Sequence, residues 1–287
     1  MLSKNANFDY SIAMLEDQRA LDEAIDSLCP DIIIHLAAQA GVRYSIENPK
    51  AYLDANIIGS FHVLEAAKRQ EVEHLLIAST SSVYGANTDM PFLETQKADT
   101  QLTFYAATKK ANESMAHAYS NLWNLPITMF RFFTVYGPWG RPDLALYKFV
   151  DAILEGRPID IYNKGKMARD FTYVDDLVQA IKLLIDENPS DPPDPKIPGD
   201  SLSPVAPFRI INIGNSDKVN LLDFIDAVEQ KLDVKAIRNY MPMQIGDVPE
   251  TWADASLLQN LTGYRPKTNY HDGIARFIDW YRDYYKV

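Results

Sequence analysis

Leu75-Leu76-Ile77-Ala78-Ser79-Thr80-Ser81-Ser82-Val83-Tyr84-Gly85 runs from an apolar stretch straight into four consecutive hydroxyl side chains. A short apolar run of this kind is the pattern of a strand buried on both faces of a parallel sheet. Three more such runs lie along the chain. They are Asp31-Ile32-Ile33-Ile34-His35-Leu36, closing in Ala37-Ala38; Ile127-Thr128-Met129-Phe130-Arg131-Phe132; and Arg209-Ile210-Ile211-Asn212-Ile213-Gly214. Helical patterns separate them. Residues 52–69 carry Leu53, Ile57, Phe61 and Leu64, with Asn56 and Gly59 inside; residues 105–123 are alanine-rich and end before Pro126. Strands alternating with helices predict an α/β fold built on a doubly wound parallel sheet. Ligands of such sheets bind at the carboxyl ends of the strands, here Ala37-Ala38, Ser79 to Ser82 and Phe133-Thr134.

Past Tyr136 the rhythm changes. Gly137-Pro138-Trp139-Gly140-Arg141-Pro142 is loop chemistry, and a helix over about 174–186 follows later. Residues 188–207 are proline-rich without periodicity and read as a solvent-exposed loop, because a strand pattern resumes at once.

Composition narrows the function classes. The chain has 287 residues, 47% hydrophobic, enough for one large or two modest cores. A net charge of −11 argues against a nucleic-acid surface and against anionic membranes. No apolar stretch is long enough to span a bilayer, and residues 1–10 lack the zones of a signal peptide. The single cysteine, Cys29, precludes an internal disulfide and fits a reducing cytoplasm. No metal-spaced Cys/His cluster is present, so no metal site is expected.

Tyr105-Ala106-Ala107-Thr108-Lys109 sets a phenol and an ammonium four residues apart on one helix face. A lysine beside a phenol favours phenolate and draws its pKa from near 10 toward neutrality, which makes Tyr105 a usable acid or base for a hydroxyl. Alone the match is weak, since tyrosine and lysine often share a helix face as surface packing. The hydroxyl run 79–82 changes its meaning. It is either a turn satisfied by local side-chain-to-backbone bonds or a set of partners for the same substrate hydroxyl and nearby anionic groups.

Together these residues resemble the Ser/Thr–Tyr–Lys set of the extended short-chain dehydrogenase superfamily. A narrower resemblance runs through His35 to Ser45, Phe104 to Glu113, Arg131 to Asp143 (R-F-F-T-V-Y-G-P-W-G-R-P-D), Lys164 to Asp176 and Met243 to Ala253. Those stretches are similar to UDP-glucuronate 4-epimerases, and the likeness covers nearly the whole chain. It implies a Rossmann-like NAD-binding domain over 1–135, and a smaller region over 136–287 that binds mainly substrate, with 171–216 partly returning to the sheet.

The resemblance assigns roles residue by residue. Thr80, Tyr105 and Lys109 are the catalytic set, with Lys109 on the nicotinamide ribose. Leu36, Ala37, Ala38, Asn56 and Phe132 border the cofactor, NAD; Asn56 bonds backbone there, and Gly59 allows a close approach. Ser81, Ser82 and Thr134 face the sugar carboxylate, Arg169 and its helper Arg141 the diphosphate, Asp247 the uridine ribose, and Arg43 the substrate. His35, in an apolar strand, reads as a satisfied core histidine. A homodimer through the helices at 52–69 and 105–123 is also implied, with Ala111, Ala116 and Ala118 as a compatible face. Other nucleotide-sugar epimerases or dehydratases, and a non-catalytic sugar-nucleotide-binding remnant, are the alternatives; Ser81 and Ser82 are not the acidic residues a dehydratase needs.

One element of the family is missing. No G-x-x-G-x-x-G occurs in the sequence, and the first segment that aligns is 7–12, in the place of the family's third strand. Roughly 40 to 50 residues, about one βαβ unit and a half, are therefore expected to be absent, leaving a sheet that lacks its first strands. Met14 stands where an aspartate usually contacts adenine. A misassigned start, a fragment and a degenerate paralogue would each account for this.

Overall fold

The computed structural model describes residues 5–191 and 197–287. In chain order they form α1 (Gln18–Leu28), β1 (Ile32–His35), α2 (Tyr44–Glu47), α3 (Pro49–Tyr52), a π-helical stretch (Leu53–Ile58) and α4 (Gly59–Arg69). Then come β2 (His74–Thr80), a 3-10 turn (Ser81–Tyr84), α5 (Phe104–Trp123), β3 (Ile127–Phe132), β4 (Thr134–Tyr136) and α6 (Ala145–Leu154). The rest is β5 (Ile159–Ile161), β6 (Ala168–Tyr173), α7 (Val174–Leu184), β7 (Phe208–Ile213), β8 (Lys218–Asn220), α8 (Leu221–Leu232), β9 (Arg238–Tyr240), β10 (Glu250–Thr251), α9 (Ser256–Thr262) and α10 (Tyr270–Tyr285).

The main sheet has the order β1-β2-β3-β7, with every pair parallel. All of β2 is buried, as its unbroken apolar run requires. Val63, Leu64, Leu75, Ile77, Ile127 and Met129 pack between the sheet and α4 and α5; Leu76, Phe130, Leu177 and Ile181 pack on the other face. Each such side chain stabilises the fold by about 1.5–3 kcal/mol. The C-terminal region has its own core, in which Phe171 and Phe224 stack with centroids 3.9 Å apart.

Register delivers the site. Thr80 lies opposite Phe132, and Phe132 opposite Ile213, so three strands end level. At Phe133 the chain leaves this sheet, and β4 pairs with β6 in a second one of order β10-β6-β4. The switch leaves Thr134 lining the same cleft as the end of β2.

The segment 7–12 forms no strand, contrary to expectation. Phe8, Tyr10 and Ile12 are exposed, and among the described residues no ladder takes up their backbone groups; an extended segment becomes a strand only where its N–H and C=O groups find partners. Among the described residues β1 is accordingly the edge of the sheet, with Ile34 and Leu36 exposed. Ala116 is fully buried among Leu125, Ile127 and their neighbours, so it is no part of an outer face; only Ala118 of the three alanines is exposed. The predicted loop 188–207 holds no helix or strand among its described residues, and 192–196 lie outside them.

Candidate active site

The cleft at the strand ends has a volume of about 660 Å³, in the range of small-molecule sites. Its floor is built by α5. Thr103 caps this helix, its hydroxyl accepting the Ala106 N–H at 3.2 Å, which fixes where the first turn begins. Tyr105 then faces the cleft, and Lys109, one turn on, lies buried beneath it. The Lys109 ammonium donates to the Ala78 carbonyl at 2.9 Å, which ties the helix to the end of β2. Burial pulls the Lys109 pKa down to about 8.

Thr80 ends β2 and caps the 3-10 turn, its hydroxyl oxygen accepting the Ser82 N–H at 3.2 Å. That arrangement leaves its proton for the Tyr105 oxygen. Lys109 does not, however, draw the Tyr105 phenol toward neutrality as expected. Burial raises the phenol pKa, opposed by a hydrogen bond with Thr80 and by the charge of Arg141. The lysine's charge is directed at Ala78 instead.

Ser81, Ser82 and Thr134 line the wall around Thr80, and Leu36, Ala38 and Phe132 give it an apolar side. Arg141 lines it too, paired bidentately with Asp143 at 3.0 and 2.8 Å. Both partners are half exposed, so the pair is weak and an anion can replace the aspartate. Arg169 donates to the carbonyls of Ala168 (2.8 Å), Pro249 (3.0 Å) and Val248 (2.7 Å), which anchors the 247–250 segment against β6.

Not every expected residue reaches the wall. Ala37 and Asn56 do not line the cleft. Asn56 is fully buried and works from behind: it accepts the Gln39 N–H and donates to the Gln39 carbonyl and the Thr108 hydroxyl. Arg43 is also off the wall; it reaches Asp247 at 3.4 Å and lies over the Tyr162 ring at 4.9 Å. Asp247 therefore lines the cleft while already paired. Gly59 does permit a close approach, but to Leu15: a Cβ would stand 2.5 Å from the Leu15 Cβ. His35 is the core histidine expected, 3.1 Å from the Ser60 hydroxyl, with burial lowering its pKa to about 3.

A buried network under Thr80 escaped the sequence pattern. Glu113 accepts from the Ser79 hydroxyl at 2.7 Å and from two Arg131 nitrogens at 2.9 Å. Its signal was present, for Tyr105, Lys109 and Glu113 recur every four residues along α5. Arg131 also lies over the Tyr84 ring, and Tyr84 donates to Asn212, whose N–H donates to Glu94. Burial pushes the Glu94 carboxyl up to about 7. Raised above its unfolded value, it contributes stability below about pH 4.5 that is lost as pH rises through 7. Glu94→Gln, uncharged throughout, should therefore gain on the parent by about 2 kcal/mol between pH 5 and pH 8. Denaturant unfolding at both pH values measures it; an equal difference at both would refute it.

A parallel sheet whose level strand ends bring a hydroxyl run over a tyrosine and a lysine defines a short-chain dehydrogenase type of site. Residues 4–198 match the NAD dependent epimerase/dehydratase family, and the chain belongs to it. It is 54% identical to a probable UDP-glucuronate 4-epimerase of Rhizobium meliloti (strain 1021), over all of this chain and 84% of that one. It is 43% identical to UDP-glucuronate 4-epimerase 1 of Arabidopsis thaliana, over 94% of this chain and 63% of that one. The crystal structure of the Bacillus cereus UDP-glucuronic acid 4-epimerase with UDP-glucuronic acid and NAD superposes with a TM-score of 0.87 at 29% identity, covering 99% of this chain and 84% of that chain. Among the described residues no helix is long and apolar enough to cross a membrane.

Proposed function

We propose that this chain interconverts UDP-glucuronate and UDP-galacturonate by inverting C4 through a 4-keto sugar. The observation that carries the reading is the convergence in one cleft of Tyr105 with Thr80, of the hydroxyls of Ser81, Ser82 and Thr134, and of the guanidinium groups of Arg141 and Arg169. The Rhizobium and Arabidopsis relatives act on that substrate by their names.

The residues present suit the nicotinamide end of NAD: Leu36, Ala38 and Phe132 offer an apolar wall and Lys109 a donor at its foot. NAD held there supplies the hydride acceptor and donor for C4. Tyr105 takes the proton of the 4-hydroxyl and later returns it on the other face of the rotated sugar, so no proton is gained or lost overall. Thr80, by donating to the phenolate, and Arg141, by its charge, hold that proton acceptor against the effect of burial. Arg169 and Arg141 meet the diphosphate, and Asp247 the uridine ribose.

A 4-ketone lies beta to the C6 carboxylate and invites loss of carbon dioxide. Ser81, Ser82 and Thr134 hold the carboxylate where that loss is stereoelectronically poor. Ser81→Ala combined with Thr134→Ala should release a UDP-pentose by-product, and a product profile unchanged by liquid chromatography would refute this role.

The setting is a cytoplasmic homodimer that feeds polysaccharide synthesis. α4 and α5 leave Phe61, Leu122 and Trp123 exposed, apolar surface that suits a second copy. The decisive test is to purify the chain, measure nicotinamide released on denaturation, and follow UDP-galacturonate formation from UDP-glucuronate. Neither cofactor nor turnover would leave a non-catalytic sugar-nucleotide binder.

A further inference from the structure

The helical run 49–69 is not one α-helix. Its middle, Leu53–Ile58, is wound as a π-helix, a rarer and less favourable winding that recurs at functional sites. At its start stands Tyr52 and within it Asn56, both completely buried and both bonded to residues of the 39–41 turn. Asn56 grips Gln39 and Thr108. Tyr52 grips the next two residues of the same turn: its phenol lies 3.1 Å from the Ala40 carbonyl and 2.5 Å from the Gly41 carbonyl. Its ring meets that of Tyr105 edge-on, with centroids 6.0 Å apart at 71°. Tyr44 closes the other side at 6.1 Å.

We propose that Tyr52 is a positioning residue for Tyr105 and for the 40–41 turn, and that the π-helical stretch brings it and Asn56 to the site together. The inference rests on the epimerase reading for its kinetic consequences only. Two phenols lie side by side here, and their surroundings sort them. The Tyr52 hydroxyl donates to carbonyls, which only accept. Burial raises its pKa against a hydrogen bond from the Gln39 side chain and the charge of Arg141, so it keeps its proton and acts as a strut. The Tyr105 oxygen faces a hydroxyl that can donate, and so can give and take a proton. Gly41 completes the strut, for its φ of +107° suits glycine and carries its carbonyl to the Tyr52 hydroxyl. A tyrosine recruited only to fill the core would need neither the π-helical turn nor contact with the reacting ring.

Two substitutions separate the two contacts. Tyr52→Phe keeps the ring and loses the hydroxyl. It should raise KM for UDP-glucuronate several-fold while leaving kcat within about twofold, because the turn loosens and Tyr105 does not. Tyr52→Leu removes the ring and should lower kcat by about 10²-fold, the scale of an ångström-level misplacement. A second measurement does not need turnover: the titration of Tyr105, followed by carbon NMR of ring-labelled tyrosine. Tyr44, Lys109, Arg141 and Tyr52 are the titratable groups around it. Loss of the Tyr52 ring admits water, so the Tyr105 midpoint should fall toward 10 in Tyr52→Leu and stay put in Tyr52→Phe. Equal kcat losses in both variants, or an unmoved midpoint in Tyr52→Leu with the fold intact by circular dichroism, would overturn the proposal. Absence of turnover in the parent chain overturns the epimerase reading instead and leaves the NMR result to decide this one.

Discussion

Tyr105→Phe is expected to lower kcat for UDP-glucuronate epimerisation by about 10³-fold while changing KM by less than about threefold. The substitution deletes one oxygen atom. The ring stays, so its edge contact with Tyr52 survives, and the Thr103 cap of α5 is untouched. The arginines and hydroxyls lining the cleft, which we propose bind the substrate, also remain. What disappears is the phenol oxygen beside Thr80, the group we propose takes the 4-hydroxyl proton and returns it. Steady-state kinetics with product separation measures the effect, and a melting temperature within a few degrees of the parent excludes a folding defect. A variant that kept a tenth of the parent kcat would remove Tyr105 from the proton transfer. Thr80→Val should lie between the two, since it removes a donor to the phenolate but not the acceptor itself.

Much of this site was legible because its parts are local. β3 begins and ends where the run Ile127 to Phe132 does, and β2 takes in the apolar stretch from Leu75 to Ala78 with one residue before it and two of the hydroxyl residues after it. Tyr105 and Lys109 need only an α-helix to share a face. The features that escaped are long-range. The π-helical winding at 53–58 departs from a pattern that fits an ordinary helix, and Asn56 within it and Tyr52 just before it bond residues far off in sequence, Gln39, Gly41 and Thr108. Arg43 carries the right charge for a substrate contact, yet lies off the wall because the 41–47 segment turns it onto Asp247 and Tyr162. The segment 7–12 has strand-like residues and no ladder to join among the described residues. The pKa of Tyr105 misled for a similar reason. Spacing along a helix shows that a lysine is near, and a carbonyl from another strand decides where its charge points.

Glu113→Ala should cost about 4 kcal/mol of stability, the largest structural effect expected of any single change near the cleft. Glu113 and Arg131 each have side chains 2% exposed, and among the described residues Arg131 approaches no other carboxylate as closely. Removing the glutamate leaves a guanidinium in the interior beside the Glu94 carbonyl, the Tyr84 ring and, farther off, the Glu94 carboxyl. It also frees the Ser79 hydroxyl, one residue before Thr80, so a loss in kcat should accompany the loss in stability. Burial by itself would push the Glu113 carboxyl up, but the hydrogen bonds and charge of Arg131, helped by Lys110 and Ser79, hold it below the ordinary value. A carboxyl held low in the folded state stabilises the fold above its unfolded pKa, near 4.5, and loses that contribution as pH falls through its folded value. The gap between parent and Glu113→Ala should therefore be full at pH 7 and narrow below about pH 4. Denaturant unfolding across that range measures the gap. Glu113→Leu with Arg131→Met should recover most of the lost stability, because two apolar side chains leave no buried charge unpaired. It should not recover kcat, since Ser79 still lacks the acceptor that fixes the end of β2. A double variant as unstable as Glu113→Ala would show that the pair's geometry, not an unpaired charge, is what the interior requires.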